Sequence, residues 1–122
     1  MAGYLRLQED GDEFAVSAGG TITGGQLVAM SAANTVTATS AAGSSVLGVA
    51  AFDAVSGDLV TVVRNGVHQT TASGSITAGN TVEAAASGQV AAHTNGTNDV
   101  NIIGMALTTA TNGNPVNWVW TR

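Results

Sequence analysis

Apolar and polar residues alternate over short stretches of this chain, and glycine-containing turns separate those stretches. Near the C-terminus Val116, Trp118 and Trp120 occupy every second position, with Asn and Thr among the residues between and after them. A period of two places alternate side chains on opposite faces of a β-strand. Residues 101–107 predict a further strand, and Pro115 stands where a strand can begin without losing a ladder hydrogen bond. The pattern therefore predicts an all-β fold.

The centre of the chain predicts a β-hairpin. Residues 59–64 and residues 67–71 are β-prone runs that flank Asn65-Gly66. Asn-Gly tolerates the positive φ angles of a type I′ turn, whose twist suits two antiparallel strands joined by two residues. Further glycines are spaced as expected for a small barrel or sandwich, at Gly24-Gly25, Gly43, Gly57, Gly79, Gly88 and Gly113.

The chain also contains two similar halves. Three motifs, at residues 22–28, 47–50 and 56–62, recur at residues 76–82, 103–106 and 112–118. Two copies are too few for a solenoid, so we expect the halves, about 22–64 and 76–122, to close into one β-structure around a shared core. Chance matching within so biased a composition is the alternative explanation.

The N-terminal segment has a different character. Residues 9–13 carry four of the eight acidic residues, and apolar side chains lie on either side of them. A solvated charged terminus is one interpretation, whereas the apolar flanks favour an arm that docks on a partner. We expect residues 1–20 to form an extended arm and residues 21–122 a single β-rich domain.

Charge and composition exclude several classes of function. The net charge is −5, all three basic residues are arginines, and cysteine is absent. Without lysine there is no phosphate-loop lysine or Schiff-base amine, and without cysteine no thiol nucleophile or disulfide. An acidic chain without a basic patch is not expected to bind nucleic acid. No apolar run approaches the roughly 20 residues that span a bilayer, and no secretion signal is evident, so we expect no membrane partner and synthesis in a cytoplasm.

The apolar content is dominated by small side chains. Hydrophobic residues make up 44% of the chain, but aromatic residues only 4%. An alanine-rich core stabilises less per residue, at about 25 cal/mol per Å² of apolar surface, while the entropy cost of ordering the backbone is no smaller. We therefore expect self-association or a bound partner to supply further burial. Disorder is disfavoured because the Val, Ile and Leu residues fall in patterned runs.

Candidate catalytic or metal-binding residues are few. His68 and His93 are the side chains that titrate near neutrality, and with Asp99 they would form a metal site only if folding happened to bring them together. His-x-His, Glu-x-x-His and Gly-x-Ser-x-Gly motifs are absent from the sequence. We expect solvent-facing histidines, no metal, no cofactor and no enzymatic activity. An enzyme would require a deep polar pocket around one of the histidines.

The order and spacing of these motifs resemble a known family. The matching segments are residues 22–28, 46–50, 54–62, 66–67, 76–82, 86–90, 103–106 and 116–122. They resemble the capsid decoration, or head-cement, proteins of tailed bacteriophages. The resemblance implies a small β-barrel or tulip-like domain with short helical turns, forming homotrimers on the outside of the expanded head. There it would stabilise the capsid by clamping neighbouring major capsid subunits, with synthesis in the bacterial host cytoplasm.

The resemblance also implies contact residues. We expect the major capsid protein to be contacted by the arm side chains Tyr4, Leu5, Arg6, Leu7 and Phe14. We also expect the domain to fold without residues 2–16. The bulky side chains Phe52, Trp118 and Trp120 are expected at the trimer interface, with core packing as the alternative for both tryptophans.

A different functional class remains open. A β-rich adhesion or carbohydrate-binding module of a phage tail or bacterial surface would bind a glycan, although it would usually expose more aromatic residues.

Overall fold

The computed structural model describes residues 13–43 and 45–122, apart from the side chain of Phe14. In that part of the chain ten strands and two short 3₁₀ turns (86–88 and 99–101) form an all-β fold, which confirms the predicted class. The strands are β1 Glu13–Ala18, β2 Leu27–Ala32, β3 Thr35–Ala38, β4 Val46–Ala50, β5 Leu59–Val63, β6 Val67–Thr71, β7 Thr81–Ala84, β8 Val90–Ala92, β9 Gly104–Ala106 and β10 Pro115–Trp120.

The two similar halves are confirmed as two structural repeats. The first repeat, β1–β5, is a closed barrel in the order β1-β3-β2-β4-β5. The second, β6–β10, is a five-stranded sheet in the order β6-β10-β9-β7-β8. When its strands are numbered 1 to 5 in chain order, this is 1-5-4-2-3, the order of the barrel followed in the opposite direction. Even an isolated bridge recurs, because Ile22 pairs with Ala54 as Ile76 pairs with Ala110. The repeats therefore begin at β1 and β6, earlier than the motifs suggested.

The molecule has two hydrophobic cores, one inside the first repeat and one that the two repeats share, so the predicted shared core is only one of the two. One cluster lies inside the first barrel and includes Val16, Val28 and Val60. The other lies in the second repeat around Trp118 and Trp120, and residues of the first repeat contribute to it. The first repeat encloses one core by itself, whereas the second core lies between the second repeat and strands β2 and β4 of the first.

Two strands of the first repeat contribute to both cores. In β2, Leu27 packs in the second cluster and Val28 in the first. In β4, Val46 and Val49 pack in the second cluster, whereas Ala50 packs in the first. A strand buried on both faces has no polar side, which explains the unbroken apolar run of β4. These strands join the repeats into one structure.

The predicted hairpin over residues 59–71 is wrong, although its turn is as expected. Asn65 and Gly66 have φ angles of 50° and 77°. However, β5 pairs with β1 on one edge and β4 on the other. Because both edges of β5 are occupied, the strand after the turn cannot pair with it. Instead, β6 pairs with β10 in the second repeat.

Strand β1 occupies part of the predicted arm. Its residues pair antiparallel with β5, from Glu13 opposite Val63 to Ser17 opposite Leu59. Residues 13–18 of the predicted arm thus form a barrel strand, and residues 1–12 lie outside the described residues. The expectation that residues 2–16 are dispensable for folding is also wrong, because their removal would take away most of a barrel strand.

Candidate functional site

The two repeats meet at a polar cleft. Its volume is about 360 Å³, within the usual range for ligand-binding clefts. The walls come from a turn of the first repeat, from β6, and from the turn that follows β7. The lining residues are neutral, namely Thr23, Gly24, Gly25, Gln26, Gln69, Thr70, Thr71, Ser87, Gly88, Gln89 and Pro115.

The cleft lies where the second repeat fails to close as the first does. In the first repeat, Ser17 N donates to Asn34 O and Gly19 N to Val36 O, both at 2.8 Å, joining β1 to β3. In the second repeat, Ser73 N donates to Val90 O at 2.7 Å. This hydrogen bond corresponds to the one from Gly19 to Val36 in the first repeat, and Ala72 forms a β-bridge with Val90 beside it. The seam between β6 and β8 is therefore largely open.

The first repeat holds this seam open. Gly88 N donates to Thr39 O at 3.0 Å, and the Gln26 side chain donates to Ser87 O at 2.9 Å. On the opposite wall Thr70 Oγ1 donates to Gly25 O at 3.3 Å. A Cβ added to Gly88 would lie 2.6 Å from Gln26 Cβ, so glycine allows this close approach. The turn after β7 is held on the first repeat, away from β6.

A second polar cluster surrounds His93, just after β8. Its imidazole is buried, with Nδ1 2.5 Å from Glu83 Oε1 and Nε2 2.9 Å from Asp99 Oδ1. Glu83 lies in β7, and Asp99 begins a 3₁₀ turn in the following loop. The backbone N–H of Gly96 also donates to Asp99, at 2.9 Å. The cluster fastens the loop between β8 and β9 to the sheet.

The two carboxylates favour the protonated imidazole. Hydrogen bonds to Asp99 and Glu83 raise the pKa of His93 above its ordinary value of 6.5, against the opposing effect of burial. The bond to His93, with that from Gly96, lowers the pKa of Asp99 below 3.8. Both ring nitrogens of His93 are engaged, so neither is free to act as a base. The expectation of a solvent-facing histidine is wrong for His93.

His68, in β6, occupies a different environment. Its ring lies 5.3 Å from the Trp118 ring, centroid to centroid, and its Nε2 atom is buried without a hydrogen-bond partner. Burial lowers the pKa of His68, partly offset by a hydrogen bond with the Asn65 backbone. A neutral imidazole packed on an indole is consistent with a structural role for this side chain.

The predicted interface residues are separated by the fold. Phe52 is 50% exposed, whereas Trp118 and Trp120 are 0% and 6% exposed. Trp118 Nε1 donates to Thr70 Oγ1 at 3.0 Å, and the Arg64 guanidinium lies 4.9 Å from the Trp120 ring centroid. Both tryptophans therefore belong to the core, and their assignment to a trimer interface is corrected. Tyr4, Leu5, Arg6 and Leu7 lie outside the described residues, as does the side chain of Phe14.

The cleft and the His93 cluster were not predicted, although one sequence signal pointed toward the cluster. The repeat offset grows from 54 residues to 56 between the motif at 76–82 and that at 103–106. The two extra residues fall in the loop that carries Asp99. No sequence signal marked the cleft, because it arises from contact between the repeats.

Within residues 13–43 and 45–122, no group of three or more acidic or histidine side chains is arranged to hold a metal ion. The same part of the chain contains no helix long and apolar enough to cross a membrane.

Comparisons with known proteins agree on one kind of relative. A family described as phage cement protein matches residues 7–120. Among solved structures, the N base of the head fiber gp8.5 of bacteriophage phi29 superposes with a TM-score of 0.69. That match covers 89% of this chain and 92% of the phi29 chain at 21% sequence identity, so it supports the fold. No curated protein matches the chain by sequence.

Proposed function

This chain belongs to the phage cement protein family, a structural, capsid-associated class of virion protein, and we propose that it stabilises the expanded head by clamping neighbouring major capsid subunits. The observation that carries the proposal is the extent of the family match, which covers residues 7–120 and hence both repeats. A clamp on the outer surface needs a rigid body and adhesive surfaces, and a lattice of copies multiplies weak contacts into strong attachment.

We place the contacts with the major capsid protein in the segment before β1. Residues 1–12 precede the strand that enters the barrel at Glu13, and they contain Tyr4, Leu5, Arg6 and Leu7. A segment with both apolar and charged side chains that precedes a closed barrel can reach another protein without unfolding its own domain. Phe14 belongs to β1, so we assign it a contact at the base of this segment.

We place the contact between copies of a homotrimer on the outer face of the second repeat. Val67 lies opposite Val119, which lies opposite Met105, so these side chains share one face. Val67 is 61% exposed and Met105 42%. The counterpart of Met105 in the first repeat, Val49, is 5% exposed because the second repeat covers it. In the first repeat this face packs against the second repeat, whereas in the second repeat the corresponding face is exposed. Exposed Phe52 remains a proposed contact as well.

Deletion of residues 2–12 tests the capsid contact. We expect the shortened chain to keep its unfolding midpoint, because β1 is intact, and to lose binding to phage heads assembled without the protein. Co-sedimentation with heads and urea unfolding measure the two properties. A matched control replaces residues 2–12 with Gly and Ser residues of the same length, and should fail to bind equally. Full binding by the deletion variant would remove the arm from the proposal, and failure of the intact chain to bind heads would overturn the function.

The carbohydrate-binding alternative gains no support from the described aromatic side chains. Trp118 and Trp120 are buried, which leaves Phe52 as the exposed aromatic ring among those described. A sugar platform usually needs a larger aromatic surface.

A further inference from the structure

Among the described residues, one edge of strand β6 has almost no strand paired to it, whereas the same edge of its counterpart in the first repeat is paired. Its counterpart, β1, pairs in parallel with β3 through Ser17 and Ala18. In the second repeat the corresponding pairing is reduced to one bridge, between Ala72, just beyond β6, and Val90. The cleft between the repeats occupies the place of the missing contact.

The backbone groups of β6 alternate between β10 and the opposite edge of the strand, where Gln69 and Thr71 line the cleft. Trp120 N donates to Gly66 O and Ala72 N to Asn114 O, so even-numbered residues bond to β10. Hydrogen bonds alternate along an antiparallel pair, and the pairing of β6 with β10 has no register shift. The odd-numbered residues therefore direct their N–H and C=O groups away from β10. The Gln69 carbonyl oxygen indeed lies near Gly25, in the cleft wall.

This edge also lacks the features that usually prevent strand addition. Edge strands are commonly protected by a charged side chain, a proline or a bulge. The sequence of β6, VHQTT, contains no Lys, Arg, Asp, Glu or Pro, and burial favours the neutral form of His68 by lowering its pKa. Gln69 and Thr71 are both exposed and both line the cleft.

We propose that the edge of β6 at Val67, Gln69 and Thr71 binds an extended, uncharged segment of the phage shell by β-strand addition. This inference rests on the proposed function, which supplies the partner. The unpaired N–H and C=O groups recur at every second residue, the spacing that an extended backbone matches along its length. The neutral Thr, Gln and Ser side chains of the cleft suit a segment with small, polar side chains.

The shape and charge of the cleft disfavour other occupants. No charged side chain lines it, so an anionic headgroup or a nucleic acid would find no counter-charge. The edge is recessed between the turn at 23–26 and the turn at 87–89. Two copies of this recessed edge cannot come within the 4.7–4.9 Å that separates paired strands. A protruding segment of a shell protein can enter.

A proline at position 69 tests the proposal. Gln69→Pro removes an N–H group that faces the cleft and leaves the ladder to β10 intact, a position where strands tolerate proline. Gln69→Ala is the matched control because it keeps that N–H group. Using full-length chains and heads assembled without the protein, we expect Gln69→Pro to bind about tenfold more weakly or worse. Gln69→Ala should bind within about twofold of the unsubstituted chain, and both variants should share its unfolding midpoint.

Hydrogen–deuterium exchange on the unsubstituted chain provides a second measurement, which decides the matter if Gln69→Pro fails to fold. The amides of Val67, Gln69 and Thr71 should exchange rapidly in the free protein and slowly on heads. Unchanged exchange on heads, or full binding by Gln69→Pro, would overturn strand addition while leaving capsid binding intact. Protection of these amides in concentrated free protein would identify a second copy as the occupant, which also overturns the proposal. If the unsubstituted chain does not bind heads, the proposed function and this inference fail together.

Discussion

Single residues at corresponding positions of the two repeats have acquired different roles. Thr39 and His93 both follow the third strand of their repeat, and both are buried. Thr39 Oγ1 donates to Ala85 O at 2.8 Å, across the junction between the repeats. His93 instead binds Glu83 and Asp99 within its own repeat. One buried polar position thus serves the junction in the first repeat and the loop between β8 and β9 in the second.

The His93 cluster predicts a pH-dependent stability. The folded-state pKa of His93 is raised, so its contribution is complete below about 6.5 and is lost as the pH rises through the raised pKa. Asp99 has a lowered pKa, so its contribution is complete above about 3.8 and is lost as the pH falls through the lowered pKa. We expect the stability difference between the unsubstituted chain and His93→Gln to be greatest between about pH 4 and 6.5.

Urea unfolding of both proteins from pH 3 to 9 measures this difference. The comparison with His93→Gln is needed because the pKa of His68 is lowered, which gives that residue the opposite pH dependence. His68 is present in both proteins, so its contribution cancels. A stability difference that stays constant from pH 6 to 9 would contradict the assigned role of His93.

Gly104 predicts a large cost for a single methyl group. A Cβ at this position would lie 2.2 Å from Val119 O and 2.7 Å from Trp118 Cε3, and the rigid strand β10 cannot move aside easily. We expect Gly104→Ala to lower the free energy of unfolding by about 3 kcal/mol or more, the upper end for overpacked cores. Gly20→Ala is the control, since nothing lies within 4 Å of its added Cβ. Equal unfolding midpoints for the two variants would show that the close approach at Gly104 is not required.

At the scale of elements, the fate of a strand depends on which of its edges and faces are already occupied. β5 begins a segment with an ideal hairpin turn, but β1 and β4 cover both of its edges. β4, and β2 at its first two residues, are covered on both faces, because Leu27, Val46 and Val49 pack into the core of the second repeat. Local sequence thus determined the φ angles of the turn at Asn65 and Gly66, whereas long-range contacts determined which strands pair with β5 and β6.

The shared strand β2 predicts that a substitution in the first repeat will destabilise the second. Leu27 is fully buried in the second core, so Leu27→Ala removes packing there, at a cost of about 2–5 kcal/mol. Leu59→Ala is the matched control, because that side chain is 67% exposed and its loss should cost about 0.5 kcal/mol or less. Urea unfolding followed by tryptophan fluorescence reports on the second core, where both tryptophans lie. Similar midpoints for the two variants would contradict the shared core packing.

At the scale of the whole molecule, two repeats of the same plan have become unequal. The first closes into a barrel, whereas the second remains open along a seam that contacts the first. The second repeat covers the outer face of the first repeat. The corresponding face of the second repeat is exposed at Met105 and Val67. An asymmetric pair of repeats therefore presents two distinct surfaces, a polar cleft and an apolar face, which we have proposed as contacts with the shell and with copies of this chain.

The proposed homotrimer, with its contact on the apolar face, predicts the state of association. We expect the intact chain to have a solution mass about three times its 12.0 kDa chain mass, and Met105→Lys to be a monomer with an unchanged fold. A lysine at the centre of an apolar contact must lose its hydration without a partner, which disfavours association. Val100→Lys is the control, since Val100 is 72% exposed and lies in the loop before β9. Light scattering measures the mass, and a trimer that survives Met105→Lys would place the interface elsewhere.

Particular residues show how far the sequence could be used. The alternation of Val116, Trp118 and Trp120 correctly placed these side chains on one face, and the recurring motifs correctly indicated two repeats. The same alternation cannot distinguish a face covered by the protein's own core from one covered by a neighbouring copy, so the tryptophans were wrongly assigned to an interface. The burial of His93 could not be predicted, because Glu83 reaches it through the pairing of β7 with β8 and Asp99 through the fold of the following loop.

The sequence alone determined the strand class, the turn conformations and the duplication, because these depend on side-chain period, backbone φ preferences and residue order. Tertiary structure decided which strands pair, that there are two cores, and that one repeat closes while the other stays open. Those outcomes depend on competition among distant edges and faces. The contact of the turn at 23–26 with the second repeat, which shapes the cleft, exists only when both repeats are folded together.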